Sequence, residues 1–427
     1  MPLPPGPRIG SIACTARFMW RPIDSLLTWH RRYGDAFTVP YLRFGTGVYV
    51  ADPDEIRSMF TGDQSSLLAG EANSPLEPVL GSSSVLVLDG PEHIRQRKLL
   101  SPPLQGDRLG SIRETIREVA STEIDGWRSG ETIVVRARMR QVTFDVIART
   151  VFGVSDPDRI ARLREALMAL LNLGPAFFLP DAMRTNLGRY SPGGIFEARL
   201  AAADHLLYEE IALRRAAPDL DRRGDVLSAL LRARDDDGGA MSDAELRDEL
   251  ITMLAAGHET TATGLAFAFE LVARHPEVQE RLRSEPDDDA YLKAVVSEVL
   301  RLRPVIDASE RTLTEPRQVC GYQLPAGIRV YPAAVCVHHR ADIYPEPERF
   351  RPERFLEGEQ QPYSWIPFGG GIRRCIGASL AQAEIAEILR IAVTRRRFEP
   401  VRRDPDPVVL SGITLAPSRG VALRITG

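Results

Sequence analysis

The stretch from Ser242 to His275 constrains the fold more than any other part of this chain. Ser242 and Glu245 stand at capping-box spacing, and Pro276 ends the run, because proline disfavours helical geometry in the residue before it. Between those signals the spacing predicts one helix of roughly 50 Å, enough to cross a whole domain. Its apolar residues include Leu250, Met253, Leu254, Leu265, Ala266, Phe267, Ala268 and Phe269, which cover several faces instead of one stripe. Such a helix belongs at the centre of a helical body, not on its surface.

The remaining periodicity agrees. Pro91 opens a helix that Pro102-Pro103 stops, and amphipathic segments follow at Leu109–Trp127, Met139–Phe152, Arg159–Leu173, Phe196–Arg215 and Val226–Arg234. A further helix from about Asp288 to Leu302 carries the stripe Leu292, Val295, Val296, Val299 and Leu302, and a last one runs from near Gly377 to Arg395-Arg396-Arg397. Alternation around Ala36–Val50 predicts a small sheet. Val319–Tyr322 and Ile328–Tyr331, flanking Pro325-Ala326-Gly327, read as a hairpin, and strands return from Val408. The expected fold is mainly α with small β-sheets (α+β), β-richer at about 30–90 and helical beyond. With 427 residues, 44% of them hydrophobic, and no linker, repeat or shift of composition, residues 1–427 read as a single domain.

Charge excludes one class of function. The 54 Lys and Arg against 58 Asp and Glu leave −4, so no nucleic-acid partner is implied. The N-terminal Met-Pro-Leu-Pro-Pro-Gly-Pro is not a signal peptide, Arg17 and Arg21 interrupt the apolar residues after it, and nothing there reads as a bilayer anchor. The longest uncharged stretch, Ala166–Pro180, is too short for a transmembrane span. A cytoplasmic protein is expected. The four cysteines, Cys14, Cys320, Cys336 and Cys375, form no Cys-x-x-Cys pair, so each is judged alone.

Cys375 stands apart from the other three. It lies in Phe368-Gly-Gly-Gly-Ile-Arg-Arg-Cys-Ile-Gly377, just ahead of a helix whose unpaired N–H groups and dipole favour a thiolate. Glycines at 369–371 and 377 would let a flat group approach the backbone, and Arg373 and Arg374 add charge suited to carboxylates. Two chemistries are open on these residues: a nucleophilic cysteine, which needs a base, and an iron ligand, which needs a fixed loop in a dry pocket. No histidine is close in sequence.

Three further patterns occur in the chain. The long helix contains Ala256-Gly-His-Glu-Thr-Thr261. The helix after it carries Glu298-x-x-Arg301, followed by Phe350-Arg-Pro-Glu-Arg354-Phe355. The segment Gly90-Pro-Glu-His93-Ile-Arg-Gln-Arg97 puts His93 and Arg97 on one helical face. Together with the cysteine loop, whose Phe368, Gly371, Arg373, Cys375 and Gly377 fit Phe-x-x-Gly-x-Arg-x-Cys-x-Gly, the chain resembles the cytochrome P450 family over nearly its whole length.

That resemblance implies the single triangular fold of the family, with haem b between the long central helix and the cysteine-loop helix, and Cys375 as axial ligand to the iron. It implies that Ala256, Gly257, Phe368, Gly369 and Gly377 border the haem, and that His93, Arg97, Arg311 and Arg373 neutralise its carboxylates. Glu259 and Thr260 would deliver protons during oxygen activation, with the Thr260 hydroxyl bonded back to the Ala256 carbonyl and opening the helix. Glu298, Arg301 and Arg354 would brace the cysteine loop, although Glu298-x-x-Arg301 alone would read as an ordinary surface ion pair. His258 is read as structural.

The implied activity is a monooxygenase acting on a mid-sized lipophilic substrate of the fatty acid, terpenoid or steroid class. The pocket would be drawn from 62–88, 166–178, 253–260, 305–308 and the vicinity of Ile413. No fused reductase domain follows, so electrons would come from a ferredoxin and its reductase or a similar donor, attracted by arginines near the cysteine and at 395–397, to a monomer. A peroxide-driven peroxygenase and a non-catalytic haem sensor or carrier are the alternatives.

Overall fold

The computed structural model describes residues 2–42, 45–106, 108–171 and 185–427. The chain forms two compact units: Met1–Asn73 with Ile116–Arg140 and Thr260–Gly427, and Ser74–Thr115 with Gln141–Glu259.

The first unit holds every strand among the described residues. Ala36–Tyr41 and Gly45–Val50 form an antiparallel hairpin, Arg329–Pro332 joins Gly45–Val50 in parallel, and Arg311–Leu313 and Leu67–Leu68 complete a five-stranded sheet. Thr132–Val134, Ala422–Ile425 and Phe398–Pro400 make a second sheet, and Val408–Ser411 pairs with Thr414–Pro417. The five-stranded sheet separates two apolar layers. On one side Cys14 and Phe18 from the helix Ser11–Trp20, and Leu26 and Trp29 from Pro22–Tyr33, pack on Phe37, Val39 and Tyr49. On the other, Ile56, Met59 and Phe60 from the helix Pro53–Thr61 pack on Val48, Val50, Val330 and Ile366. Asp52 starts that last helix by accepting the amides of Asp54 (3.0 Å) and Glu55 (2.9 Å), with Pro53 at its first position.

Two strand expectations need correction. Val319–Tyr322 is not one arm of a hairpin with Ile328–Tyr331. The chain reverses at Cys320-Gly321, so Arg317–Val319 pairs with Tyr322–Leu324, while Arg329–Pro332 lies in the large sheet. Cys320 and Gly321 have φ of 47° and 81°, as a two-residue turn with the twist of the flanking strands requires. Pro325-Ala326-Gly327 instead carries the chain from one sheet to the other. The β-rich region is also not confined to about 30–90. Two helices precede it, with Pro22 at the first position of the second, and strands after residue 310 complete its sheet.

The second unit is helical, with Gly90–Leu100, Pro157–Leu171, Pro192–Arg215 and Val226–Arg232 among its elements. Residues 172–184, which include part of the expected pocket segment, lie outside the described residues. The long helix runs unbroken from Asp243 to Arg274, passing from the second unit into the first at Glu259–Thr260. Its start is the expected capping box: the Ser242 amide donates to Glu245 Oε2 (2.7 Å) and the Glu245 amide to Ser242 Oγ (3.2 Å). Pro276 ends it and opens the next helix, Pro276–Ser284.

Inside the second unit, consecutive acids of the long helix hold the segment after residue 80. Asp248 Oδ2 accepts the Ser83 amide (2.9 Å), Glu249 Oε1 the Val85 amide (2.8 Å), and Thr252 donates its hydroxyl to Ser84 (2.7 Å). A Cβ on Gly81, whose φ is +88°, would stand 2.0 Å from the Asp248 carboxylate, so only glycine fits there. Burial, opposed by the Val85 amide and reinforced by the charges of Asp248 and Glu245, pushes the Glu249 carboxyl up to about 8.

Two outcomes follow from these local geometries. A Cβ on Gly321 would meet no atom within 4 Å, so Gly321→Ala should cost about 1–2 kcal/mol in urea unfolding through its positive φ alone. Unfolded, Glu249 ionises near its ordinary 4.5, so between that pH and about 8 only the folded chain keeps the proton, and stability falls as pH rises through the window. Glu249→Gln should flatten the curve of unfolding free energy against pH there, and an unchanged slope would show that the carboxyl is already ionised in the folded chain.

Candidate functional site

The cysteine loop is shaped by Phe60. Gly369 and Gly371 adopt φ of +65° and +62°, where side chains are disfavoured. A Cβ on Gly371 would stand 1.9 Å from the Phe60 carbonyl oxygen, and one on Gly370 2.4 Å from the Phe60 ring. Two of the three consecutive glycines therefore make room for a neighbouring helix, where the sequence reading had them clear a path for a flat group. Gly377 differs: no protein atom lies within 4 Å of its Cβ position, so protein packing does not demand the glycine. The loop closes on itself through the Cys375 amide, which donates to the Phe368 carbonyl (3.0 Å), and the Arg374 amide, which donates to Gly371 (3.1 Å). Cys375 is exposed at the tip, ahead of the helix Ala378–Arg395, whereas Cys14 and Cys336 are buried. Burial raises the Cys14 and Cys320 thiols, the latter to about 12, and Cys336 further still.

Arg311 lies in the same unit, buried in its strand, with its guanidinium 5.6 Å from the centroid of the Phe60 ring. Phe60 thus touches both Arg311 and the glycines that lead to Arg373. Nothing in the sequence singled out Phe60, which reads as an ordinary apolar residue of an amphipathic helix.

The Glu298-x-x-Arg301 pair is not the surface contact its spacing alone would suggest. Both side chains are 0% exposed, and Arg301 grips Glu298 through Nε (2.7 Å) and Nη2 (2.9 Å). Arg354 Nε (3.0 Å) and the Arg351 amide (2.9 Å) converge on Glu298 Oε1. The two guanidinium groups also donate to the carbonyls of His338 (2.6 Å), Pro345 (3.1 Å) and Arg349 (3.4 and 3.3 Å). The structure therefore brings Glu298, Arg301 and Arg354 together.

It adds a member that the sequence reading missed. His338 is buried, Ile366 donates its amide to His338 Nε2 (2.8 Å), and His338 Nδ1 lies 3.1 Å from the Arg301 carbonyl. Burial and the nearby Arg301 charge push the imidazole well below its ordinary range, so it is neutral, with the proton on Nδ1. Ile366 is two residues ahead of Phe368, so this ring ties the cysteine loop to the buried ion cluster.

In the second unit, His93 is buried and shares one face of Gly90–Leu100 with Arg97. On the long helix, Gly257 is closely packed, since a Cβ there would meet Ile147 Cδ1 at 3.2 Å. His258 is buried with its ring edge-on to Phe144 (5.9 Å), in keeping with a structural role. The helix is not interrupted at 256–261, and the His258 carbonyl accepts the Thr143 hydroxyl (3.1 Å). Glu259 is about one quarter exposed, 3.9 Å from His258 Nδ1. Thr260 follows it as the first residue of the other unit's share of the helix.

The arginines at the end of the last helix are engaged within the chain. Arg395 pairs with Asp125 (2.9 Å), Arg396 donates to the Asp125 carbonyl (3.0 Å) and Arg397 pairs with Glu280 (2.8 Å). No helix among the described residues is long and apolar enough to cross a membrane.

Comparison with known proteins points one way. The family model described as cytochrome P450 matches residues 1–423. The chain is 41% identical over 437 aligned positions to "Putative cytochrome P450 135B1" of Mycobacterium tuberculosis and Mycobacterium bovis, covering 100% of this chain and 92% of the relative. It is 38% identical to "Putative cytochrome P450 137" of Mycobacterium tuberculosis, covering 92% and 83%. Among solved structures, the retinoic acid-bound cyanobacterial CYP120A1 superposes with a TM-score of 0.85 at 25% identity, covering 100% and 99%. The cytochrome P450DA heme domain superposes at 0.86 and 21% identity, a likeness of fold. The chain therefore belongs to the cytochrome P450 family, and it is an oxidoreductase, a haem-dependent monooxygenase with the mainly helical fold of that family.

Proposed function

We propose that the whole chain works as one haem domain in the cytoplasm, as a monomer, inserting one atom of dioxygen into a mid-sized lipophilic substrate with electrons from a separate ferredoxin-type donor. The observation that carries this reading is Cys375, exposed at the tip of a loop that Phe60 and the buried ion cluster hold in one shape. The residues fit haem b. Gly377 needs no side-chain space for any protein neighbour, Cys375 supplies the sulfur ligand, and Arg311 and Arg373 are cations in the unit that carries the loop. By the family resemblance, His93 and Arg97 would be a second pair of carboxylate partners, and Ala256, Gly257, Phe368 and Gly369 would border the haem.

Cys375 would hold haem through its thiolate, and the group so held would supply dioxygen activation. The chain's own work is to fix that sulfur and to manage protons. Glu298, Arg301 and Arg354 tie the backbone at 338, 349 and 351 into one hydrogen-bonded cluster, and His338 links that cluster to Ile366. Glu259, partly open to solvent, takes protons up, and the Thr260 hydroxyl passes them on from the next position of the helix. His258 keeps the Glu259 backbone in place from the other side through Phe144 and Thr143.

Substrate class rests on composition. The segments 62–88, 253–260 and 305–308 are rich in Leu, Val and Ala, which suits a fatty acid, terpenoid or steroid skeleton. A screen of such compounds for the low-to-high-spin shift of the holoprotein would select among them.

The reduced, carbon-monoxide-treated protein should show the strongly red-shifted Soret band of thiolate ligation, and Cys375→His should abolish both that band and monooxygenation. A Cys375→His protein with full activity would end the assignment. Thr260→Ala should lower product formed per electron consumed by roughly tenfold or more, with the electrons recovered as hydrogen peroxide. Unchanged coupling in paired peroxide and product assays would remove Thr260 from the relay.

A further inference from the structure

The helix Ser11–Trp20 is apolar on both faces, although only one of them is packed. Cys14 and Phe18 point into the core beneath the five-stranded sheet at 0% and 7% exposure. The outward arc consists of Ile12, Ala13, Ala16, Met19 and Trp20, which span about 120° of the helix circumference. Trp20 is 74% exposed, Ile12 69% and Met19 46%. Leu42, 61% exposed, is fastened alongside because its amide donates to Thr15 Oγ1 (2.9 Å), and Ile9 stands exposed just ahead of the helix. Scattered single apolar residues on a surface need no explanation, but a contiguous arc with a tryptophan at its end does.

The segment that carries this arc is predominantly cationic. From Met1 to Gly34 there are five arginines, Arg8, Arg17, Arg21, Arg31 and Arg32, against one acid, Asp24, a net of +4 in a chain whose total is −4. All five arginines are exposed. Arg17 lies at the edge of the arc with its guanidinium 6.0 Å from the Trp29 ring, so its stem packs on protein while its charge stays at the surface. Sequence alone suggested that Arg17 and Arg21 merely interrupt an apolar run. Folded, they rim it.

We propose that this face docks the protein on the surface of a bilayer containing anionic lipid, with the helix lying in the interface. Ten residues cannot span a membrane, which agrees with the absence of a spanning helix among the described residues. An exposed apolar arc that ends in tryptophan and is edged with arginine matches what an interfacial helix needs: apolar side chains for the acyl boundary and cations for the headgroups. A second copy of this chain is disfavoured as the occupant, because it would bring two arginine rims together. If the monooxygenase reading also holds, docking places the enzyme where lipophilic substrates concentrate. The docking itself rests only on this face.

Flotation of the purified full chain with vesicles of phosphatidylcholine, with and without phosphatidylglycerol, tests the proposal. The protein should float with the anionic vesicles, its tryptophan emission should shift to the blue, and binding should weaken as salt rises. Ile12→Ser/Trp20→Ser removes two exposed side chains outside the core and should weaken binding roughly tenfold or more without altering the circular dichroism spectrum. Arg8→Gln/Arg21→Gln should weaken binding and reduce its salt dependence. The proposal is overturned if the wild-type chain stays unbound with anionic vesicles, or if Ile12→Ser/Trp20→Ser binds equally well. It is also overturned if sedimentation without lipid shows a dimer that this double variant dissociates. A missing thiolate Soret band would sink the monooxygenase reading and leave the vesicle result untouched.

Discussion

The Glu298 carboxylate is the point on which the cysteine loop depends. Two guanidinium groups and a backbone amide converge on it with no access to water, and the same guanidinium groups satisfy carbonyls at 338, 345 and 349. A buried ion pair contributes little net stability relative to an apolar cluster of equal volume, yet removing one partner strands a charge and costs about 3–5 kcal/mol. The cluster therefore acts less as cement than as a guide to geometry: the irregular chain between 338 and 354, which has no sheet or long helix to define it, sets its carbonyls against those donors. His338 carries that definition onward, because a neutral ring that accepts from Ile366 and donates to Arg301 must keep a fixed orientation.

Rigidity reaches the loop from a second side through Phe60. The loop passes so close to that residue that neither Gly370 nor Gly371 has room for a side chain, and positive φ at Gly369 and Gly371 makes the tight turn accessible. A sulfur ligand must be held without swinging, and here the loop is fixed at Ile366 by a hydrogen bond and at Gly370-Gly371 by contact. The two fixings are chemically independent.

Much of this was legible in the sequence, for reasons that differ from residue to residue. The long helix could be read to within about one residue at each end because its capping box and terminal proline are local signals. Cys375 could be singled out because glycine spacing and a following helix are also local. Burial of Glu298 and Arg301 was not legible from their spacing alone, since i,i+3 pairs are ordinary on exposed helix faces. Only the joint occurrence of several family motifs identified them. Phe60 and His338 escaped because their partners lie hundreds and tens of residues away respectively, and nothing in their own neighbourhoods distinguishes them from core residues. The misplaced hairpin has a similar cause: Pro-Ala-Gly is a strong turn signal, Cys-Gly a weak one, and pairing with strands elsewhere decided between them.

The same distinction explains the N-terminal helix. Hydropathy along the sequence sees Arg17 and Arg21 as breaks in an apolar run and discounts the segment. Rotation about the helix axis sorts the same residues into a packed face of Cys14 and Phe18, an open face running from Met19 to Trp20, and a cationic margin. Burying one apolar face is enough to attach the helix to its domain, as the contacts of Cys14 and Phe18 show. The second apolar face adds nothing to that attachment and costs solubility wherever it meets water, so its composition answers to a requirement outside the folding of the chain.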